Sequence, residues 1–269
     1  MTFRAFALAS ILLVGLPGMA WGAKGHRIIA STAVRGLPRP VGAWFSGQEG
    51  MVVAHSSDPD HWKRDRKEAA RHFINSEDYG GASAVPFSPE EAIERVGARR
   101  FQKAGQLPWA IQDQVRSLAA AFRSRDRGRV LLEASYLSHY VGDMHVPLHT
   151  TRNFDGKQTH QRGVHSRWET GLVERYVEPL SVRVLPSGPG SVNLQSPLRW
   201  LQETYSLASL VLEDDRSAGM HRGKRRGGAY WPLFWASQGP VVKGQLERAG
   251  QRTGELIVLA WELGGRPAA

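Results

Sequence analysis

Apolar positions recur at helical spacing from Arg27 to Val34 and stop at Gly36 and Pro38, which together read as a helix and its end. The same period predicts helices over Trp109 to Arg125, Val130 to Gly142, Val164 to Val177 and Leu198 to Leu212. Tyr230 to Leu263 reads as one or two more, with Trp231, Trp235 and Trp261 on the inner faces. Pro86 and Pro89 open a helix reaching about Arg100, with Glu90 and Glu91 in its first turn. Met51 to Ala54 leads into the turn SSDPD at Ser56 to Asp60, and the following HWKRDRKEAARHFINSED reads as a basic helical stretch ending at His72. Two segments read as loops, Leu180 to Pro197 and Asp214 to Gly228, the second holding Arg222, Lys224, Arg225 and Arg226. With no run of strands and no internal repeat, the expected fold is mainly α and the expected organisation a single multi-helix domain.

A chain of 269 residues, 41% of them hydrophobic, can bury a sizeable core. Its 35 Lys and Arg against 25 Asp and Glu give a net charge of +10, which favours anionic partners. Zero cysteines exclude disulfides and thiolate metal sites, so any metal must be held by His, Asp, Glu or backbone groups.

Residues 1–20 carry Arg4, an apolar run from Phe6 to Leu16, and small residues Gly18 and Ala20 before a Trp. This is the pattern of a secretory signal cleaved after Ala20, the apolar run being short for a membrane span. The expected product is an exported chain, periplasmic or secreted, whose domain runs from Trp21 to Ala269. Losing Arg4 lowers its charge by one, to +9.

The chemistry is concentrated between His139 and Glu169. His139 and Asp143 stand four apart on a predicted helix and so share a face. Pro147 ends that helix, His149 follows in the turn, and His165 and Glu169 repeat the spacing of four on the next predicted helix. One such histidine on an apolar helix is commonly a hydrogen-bonded core residue. Five imidazole and carboxylate groups in this order suit zinc or a similar divalent ion. Upstream, Asp58 is either a further ligand or the N-cap ahead of Pro59, and His72 stands next to Phe73.

Taken together, Trp21 with His26 in WGAKGH, Asp58, the His72-Phe73 pair, HYVGDMHVPLH and HSRWE resemble the superfamily of zinc-dependent phospholipases C and S1/P1 nucleases. The resemblance spans Trp21 to about Tyr176. It implies a mainly α fold around a cleft with three zinc ions. Asp58, His72, His139 and Asp143 would hold the first, His149, His165 and Glu169 the second, and Trp21, through its free amine and carbonyl, the third together with His26. Asp143 would bridge the third ion to the first. It further implies hydrolysis of a phosphodiester by a zinc-activated water, oriented or deprotonated by Asp58.

Between the two branches, the residues that hold choline in the phospholipases fall on Lys24, Pro59 and Ala69, none of which suits a cation. In the nuclease branch an aromatic after the metal His stacks on a base, and Phe73 is in place. The acidic base-reading residue of that branch falls on Asn75, the GGN segment is absent from the short loop Thr150 to Val164, and Glu169 replaces the usual Asp. The resemblance therefore implies a nuclease acting on single-stranded DNA or RNA, with phospholipid as the alternative substrate and no stable protein partner. From a different class, a non-catalytic reading would have the metals stabilise an exported polyanion-binding protein.

Overall fold

The computed structural model describes residues 21–188, 190, 192–220 and 229–269. The predicted signal segment and the basic residues Arg222, Lys224, Arg225 and Arg226 lie outside them. Six helices of ten residues or more carry the fold: α1 (Gly22–Arg35), α2 (Leu107–Ser124), α3 (Arg127–Met144), α4 (Ser196–Tyr205), α5 (Ala208–Met220) and α6 (Tyr230–Leu263). Shorter α, 3₁₀ and π pieces join them, and among the described residues there is no strand. The mainly α expectation holds.

Helix α3 is the axis. Asp126 caps it by accepting from the Arg129 amide at 3.0 Å, and it packs against α1, α2 and α6. Being enclosed by three helices, its last turns are buried all round from Leu137 to Met144, with no solvated stripe. Helix α6 runs past both hydrophobic clusters: Leu256 and Ile257 join the cluster around α2, and Phe234, Val242 and Leu246 join the one beneath the candidate site.

The second cluster includes Trp21, Ile29, Val146, Leu148, Trp168 and Leu172. No helix of the described residues is long and apolar enough to cross a membrane.

Several predicted elements differ in detail. The basic stretch is not one helix: a turn follows Trp62, and Asp65 starts a new four-residue helix, Arg66–Ala69, by accepting from the Lys67 amide. The helix from Pro89 breaks at Gly97, whose φ of 79° separates Pro89–Val96 from Ala98–Ala104. The predicted helix Leu198 to Leu212 is α4 and α5, parted at Ser206, whose hydroxyl bonds back to the Glu203 carbonyl. Asp214 to Gly219 belongs to α5 rather than to a loop, because Asp215 is buried in a polar network. Tyr230–Leu263 is one helix despite Pro240, with Phe234 facing inward while Trp231, Trp235 and Trp261 pack half-buried at its margins.

Candidate metal centre

Several backbone segments bring the polar residues together. The last turns of α3 supply His139 and Asp143, one turn apart. The 3₁₀ turn Pro147–Thr150 adds His149. Residues 70–75 run alongside: Gln106 N–H donates to the Ala70 carbonyl, Leu107 N–H to that of Phe73, and Ile74 N–H to that of His149. An isolated bridge between Ile74 and Gly105 completes this strap. Gly105 has φ 85° and passes so close that a Cβ would lie 2.2 Å from the Phe73 oxygen, so only glycine fits. The strap sets His72 and Phe73 beside the end of α3.

Helix α1 arrives from the other side. The indole of Trp21 donates to the Gly142 carbonyl at 2.6 Å and lies against Trp168, tying the start of α1 to the residue before Asp143. His26 stacks on His139 at 4.0 Å, and its Nε2 is 3.7 Å from Asp143. That approach needs Gly142, since a Cβ there would meet the His26 ring at 3.1 Å.

Potential ligand atoms fall into three groups: His26, His139 and Asp143; Asp60, His72 and His139; and His149, His165 and Glu169. Of the two aspartates in SSDPD, it is Asp60 rather than the expected Asp58 that stands in these groups. Asp58 turns outward onto His55 at 2.7 Å with its side chain 29% exposed, whereas Asp60 is 3% exposed and lies 3.7 Å from His139. Proline at 59 starts a short helix, Asp58–His61, that sends the two aspartates in different directions. The shift makes His61, not Pro59, the residue after the inward aspartate. Of the nine expected positions, His26, His72, His139, Asp143, His149, His165 and Glu169 stand in these groups; Asp60 stands where Asp58 was expected, and Trp21 is tied in through Gly142.

The donor atoms fit metal ions. Four ligands about 2.0–2.1 Å from a tetrahedral zinc stand about 3.3 Å from one another. Here His72 Nδ1 is 3.1 Å from His139 Nε2 and 2.9 Å from Asp143 Oδ2, His139 Nε2 is 3.4 Å from Asp143 Oδ2, and Asp60 Oδ1 is 3.7 Å and 4.0 Å from the two rings. In the other group, Glu169 Oε2 lies 3.0 Å from His165 Nε2 and 3.3 Å from His149 Nε2. Buried polar atoms in proteins are nearly always hydrogen-bonded. Ten of the thirteen that lack a partner among the described residues belong to His26, Asp60, His72, Asp143, His149, His165 and Glu169. Such a concentration of carboxylate and imidazole atoms without partners, all able to offer lone pairs, is what bound cations would satisfy.

Neighbouring groups prepare the ligands. His139 Nδ1 donates to the Ser56 carbonyl at 2.9 Å, leaving Nε2 to face the cluster. Tyr140 donates to Glu68 at 2.5 Å, and Glu68 stands 3.3 Å from His72 Nε2. Burial and the neighbouring His139 push His26 down to about 3, so it is neutral with a lone pair available. Burial opposes ionisation of Asp143 and Glu169, yet the histidines overcome it: His139 and His149 hold Asp143 well below the usual range, and His165 with His149 brings Glu169 to about 2. Against the same burial, His139 is raised by Asp143 and His165 by Glu169. Asp60, also opposed by burial, is lowered by His139 and Lys63. The result is three buried carboxylates facing imidazoles, an oxygen and nitrogen donor set for hard or borderline divalent ions.

A cleft of about 400 Å³ opens over the ligands, lined by Lys63, His72, Phe73, Asn75, Lys103, Leu148, His149, Arg152, Phe154 and His165. Phe73 and Asn75 are thus where a substrate would lie, while Lys24 lines a separate groove. Lys63, from the basic stretch before His72, stands in the cleft wall. It pairs with Asp60, three residues before it, at 2.5 Å.

No curated protein matches the chain. The model of the family described as S1/P1 Nuclease matches residues 21–182, more than half of the chain and the whole stretch from Trp21 through Glu169. On that match and this architecture, the chain belongs to the S1/P1 nuclease family, metal-dependent enzymes that hydrolyse phosphodiester bonds of nucleic acid.

Proposed function

We propose that the chain is an exported, zinc-dependent nuclease that cuts single-stranded DNA or RNA, with three zinc ions held by Trp21, His26, Asp60, His72, His139, Asp143, His149, His165 and Glu169. The observation carrying this reading is the divergence of two consecutive residues: His72 points into the ligand cluster while Phe73 lines the cleft above it. An aromatic face one residue from a ligand supports a base stacked there with its phosphate over the metals. The purely N and O donor set supports zinc.

Bound zinc ions would neutralise the phosphodiester and make water a better nucleophile near neutral pH. The chain supplies the rest. Asp60, held ionised, accepts a hydrogen bond from the attacking water and orients it. Lys63, raised by Asp143 and Asp60 against the effect of burial, remains protonated and faces a non-bridging phosphate oxygen from the cleft wall. Phe73 holds the base, and Leu148 and Ala69 line the apolar part of the cleft. Export rests on the leader pattern of residues 1–20.

The test is incubation of processed protein with single strands, duplex and mixed phospholipid vesicles, each with chelator and with added zinc. Zinc-restored cleavage of single strands supports the reading. Hydrolysis of lipid with nucleic acid spared would turn it to a phospholipase, and no zinc-restored hydrolysis of any substrate would leave a metal-stabilised binding protein.

A further inference from the structure

His165 and Glu169 stand on a segment that cannot hold its own shape. Val164–Ser166 is α-helical, Arg167–Leu172 is π-helical and Val173–Tyr176 is α-helical again, with no side-chain cap at the start. Helices of about 12–15 residues are marginal in water even when regular. The orientation of this ligand pair must come from tertiary contacts.

Those contacts are made by the two residues just before Glu169. Arg167 Nε donates to Asp215 Oδ1 at 2.9 Å and Nη2 to Oδ2 at 3.0 Å, and its remaining donors reach the carbonyls of Arg162 and Gln161 at 2.8 and 3.1 Å. Tyr230 Oη and Gln161 Nε2 also donate to Asp215, which is 2% exposed. Beside it, the Trp168 indole donates to Gln238 at 2.8 Å, and Gln238 donates to Asp214 at 2.6 Å. Asp214, Asp215, Tyr230 and Gln238 lie on α5 and α6, beyond the residues the family model matches.

We propose that Asp215 is a positioning residue for the group His149, His165 and Glu169. By gripping Arg167 in a bidentate pair, it sets the angle at which the π-helical segment presents the other two ligands to His149. This rests on reading that group as a metal site. A buried ion pair gives little net stability, because desolvation offsets its attraction, but its two-point geometry fixes direction. Direction is what this short segment lacks.

The test uses the full chain loaded with zinc, or with cobalt(II) for its visible bands, and counts bound ions against a graded chelator. Asp215→Asn is expected to weaken one ion by about 10–100-fold, the usual cost of losing an outer partner, and to change part of the cobalt spectrum. Tyr230→Phe, which keeps the ring, should do the same more mildly and carries the test if Asp215→Asn does not fold. Leu118→Ala, in the other hydrophobic cluster, should lower the melting temperature with every ion bound as in the parent. If the Asp215 and Tyr230 variants behave like Leu118→Ala, the positioning role is wrong and the network is only structural. If His165→Ala keeps every ion, the metal reading of the group falls, and the positioning role with it.

Discussion

The Nε2 atom of His139 faces Nδ1 of His72 across 3.1 Å, with the other nitrogen of His139 committed to the Ser56 carbonyl. Nitrogens at that distance share either a hydrogen, which makes them a hydrogen-bonded pair, or a metal ion. Which of the two is present should decide how stability responds to pH. In chelated protein, His139 and His165 are raised above their ordinary 6.5, so the stability they contribute is complete below that value and is lost as pH rises through the raised values. Glu169, brought down from 4.5 to about 2, contributes above 4.5 and loses its contribution only as pH falls towards 2. Chelated protein should therefore melt at lower temperature as pH rises from about 6.5 into the alkaline range. Metal-loaded protein should show the opposite slope, since metal binding needs neutral imidazole. Parallel melting curves with and without chelator would count against a metal at this position.

Asp60 and Asp58 can be separated by a matched pair of variants. Asp60→Asn removes a buried carboxylate from the ligand cluster and should cut phosphodiester turnover by at least about 100-fold with loss of bound metal. Asp58→Asn touches only the exposed pair with His55 and should leave turnover within about 2-fold, in line with surface ion pairs worth about 0–1 kcal/mol. Steady-state rates on a small phosphodiester and metal content by elemental analysis decide it.

For Phe73, the readout is binding. Phe73→Ala should lose about 1–3 kcal/mol of affinity for single strands, while turnover of a phosphodiester without a base changes little. The parent should also cut single strands faster than duplex, because a paired base must first leave its stack at a cost of a few kcal/mol. Fluorescence titration with labelled oligonucleotides and a duplex comparison check both parts.

The Trp21 indole is engaged with Gly142, so on the proposed cleavage after Ala20 the freed backbone amine is what Trp21 would offer a metal. Protein carrying one extra residue before Trp21 has an amide there, without a lone pair for coordination. It should bind one ion fewer than processed protein and turn over more slowly. Equal metal content in both forms would make Trp21 a packing anchor and nothing more.

Much of this centre was legible because its spacing is a helical property. His139 with Asp143, and His165 with Glu169, are set one turn apart by any helix, and α3 is regular enough to honour the rule. SSDPD was not legible in the same way, because either aspartate can face inward and only the packing of the Asp58–His61 turn against α3 selects Asp60. The π-helical stretch at Arg167–Leu172 was hidden for a related reason: its side chains are anchored on α5 and α6, 48 and 70 residues later in the chain. Gly97 ended a predicted helix because of a backbone angle, where its composition alone permitted continuation.

Helix α6 is one wall shared by both hydrophobic clusters, and all of it follows the part of the chain that carries the candidate ligands. The ligand-bearing portion is thus not a module that could be cut out and moved. A polypeptide ending at residue 182 would hold every candidate ligand and still expose Ile29, Leu148, Leu172 and their neighbours to water, so it should collapse and aggregate rather than fold. Chemistry is written in the first part of this chain, and the permission to fold around it in the last.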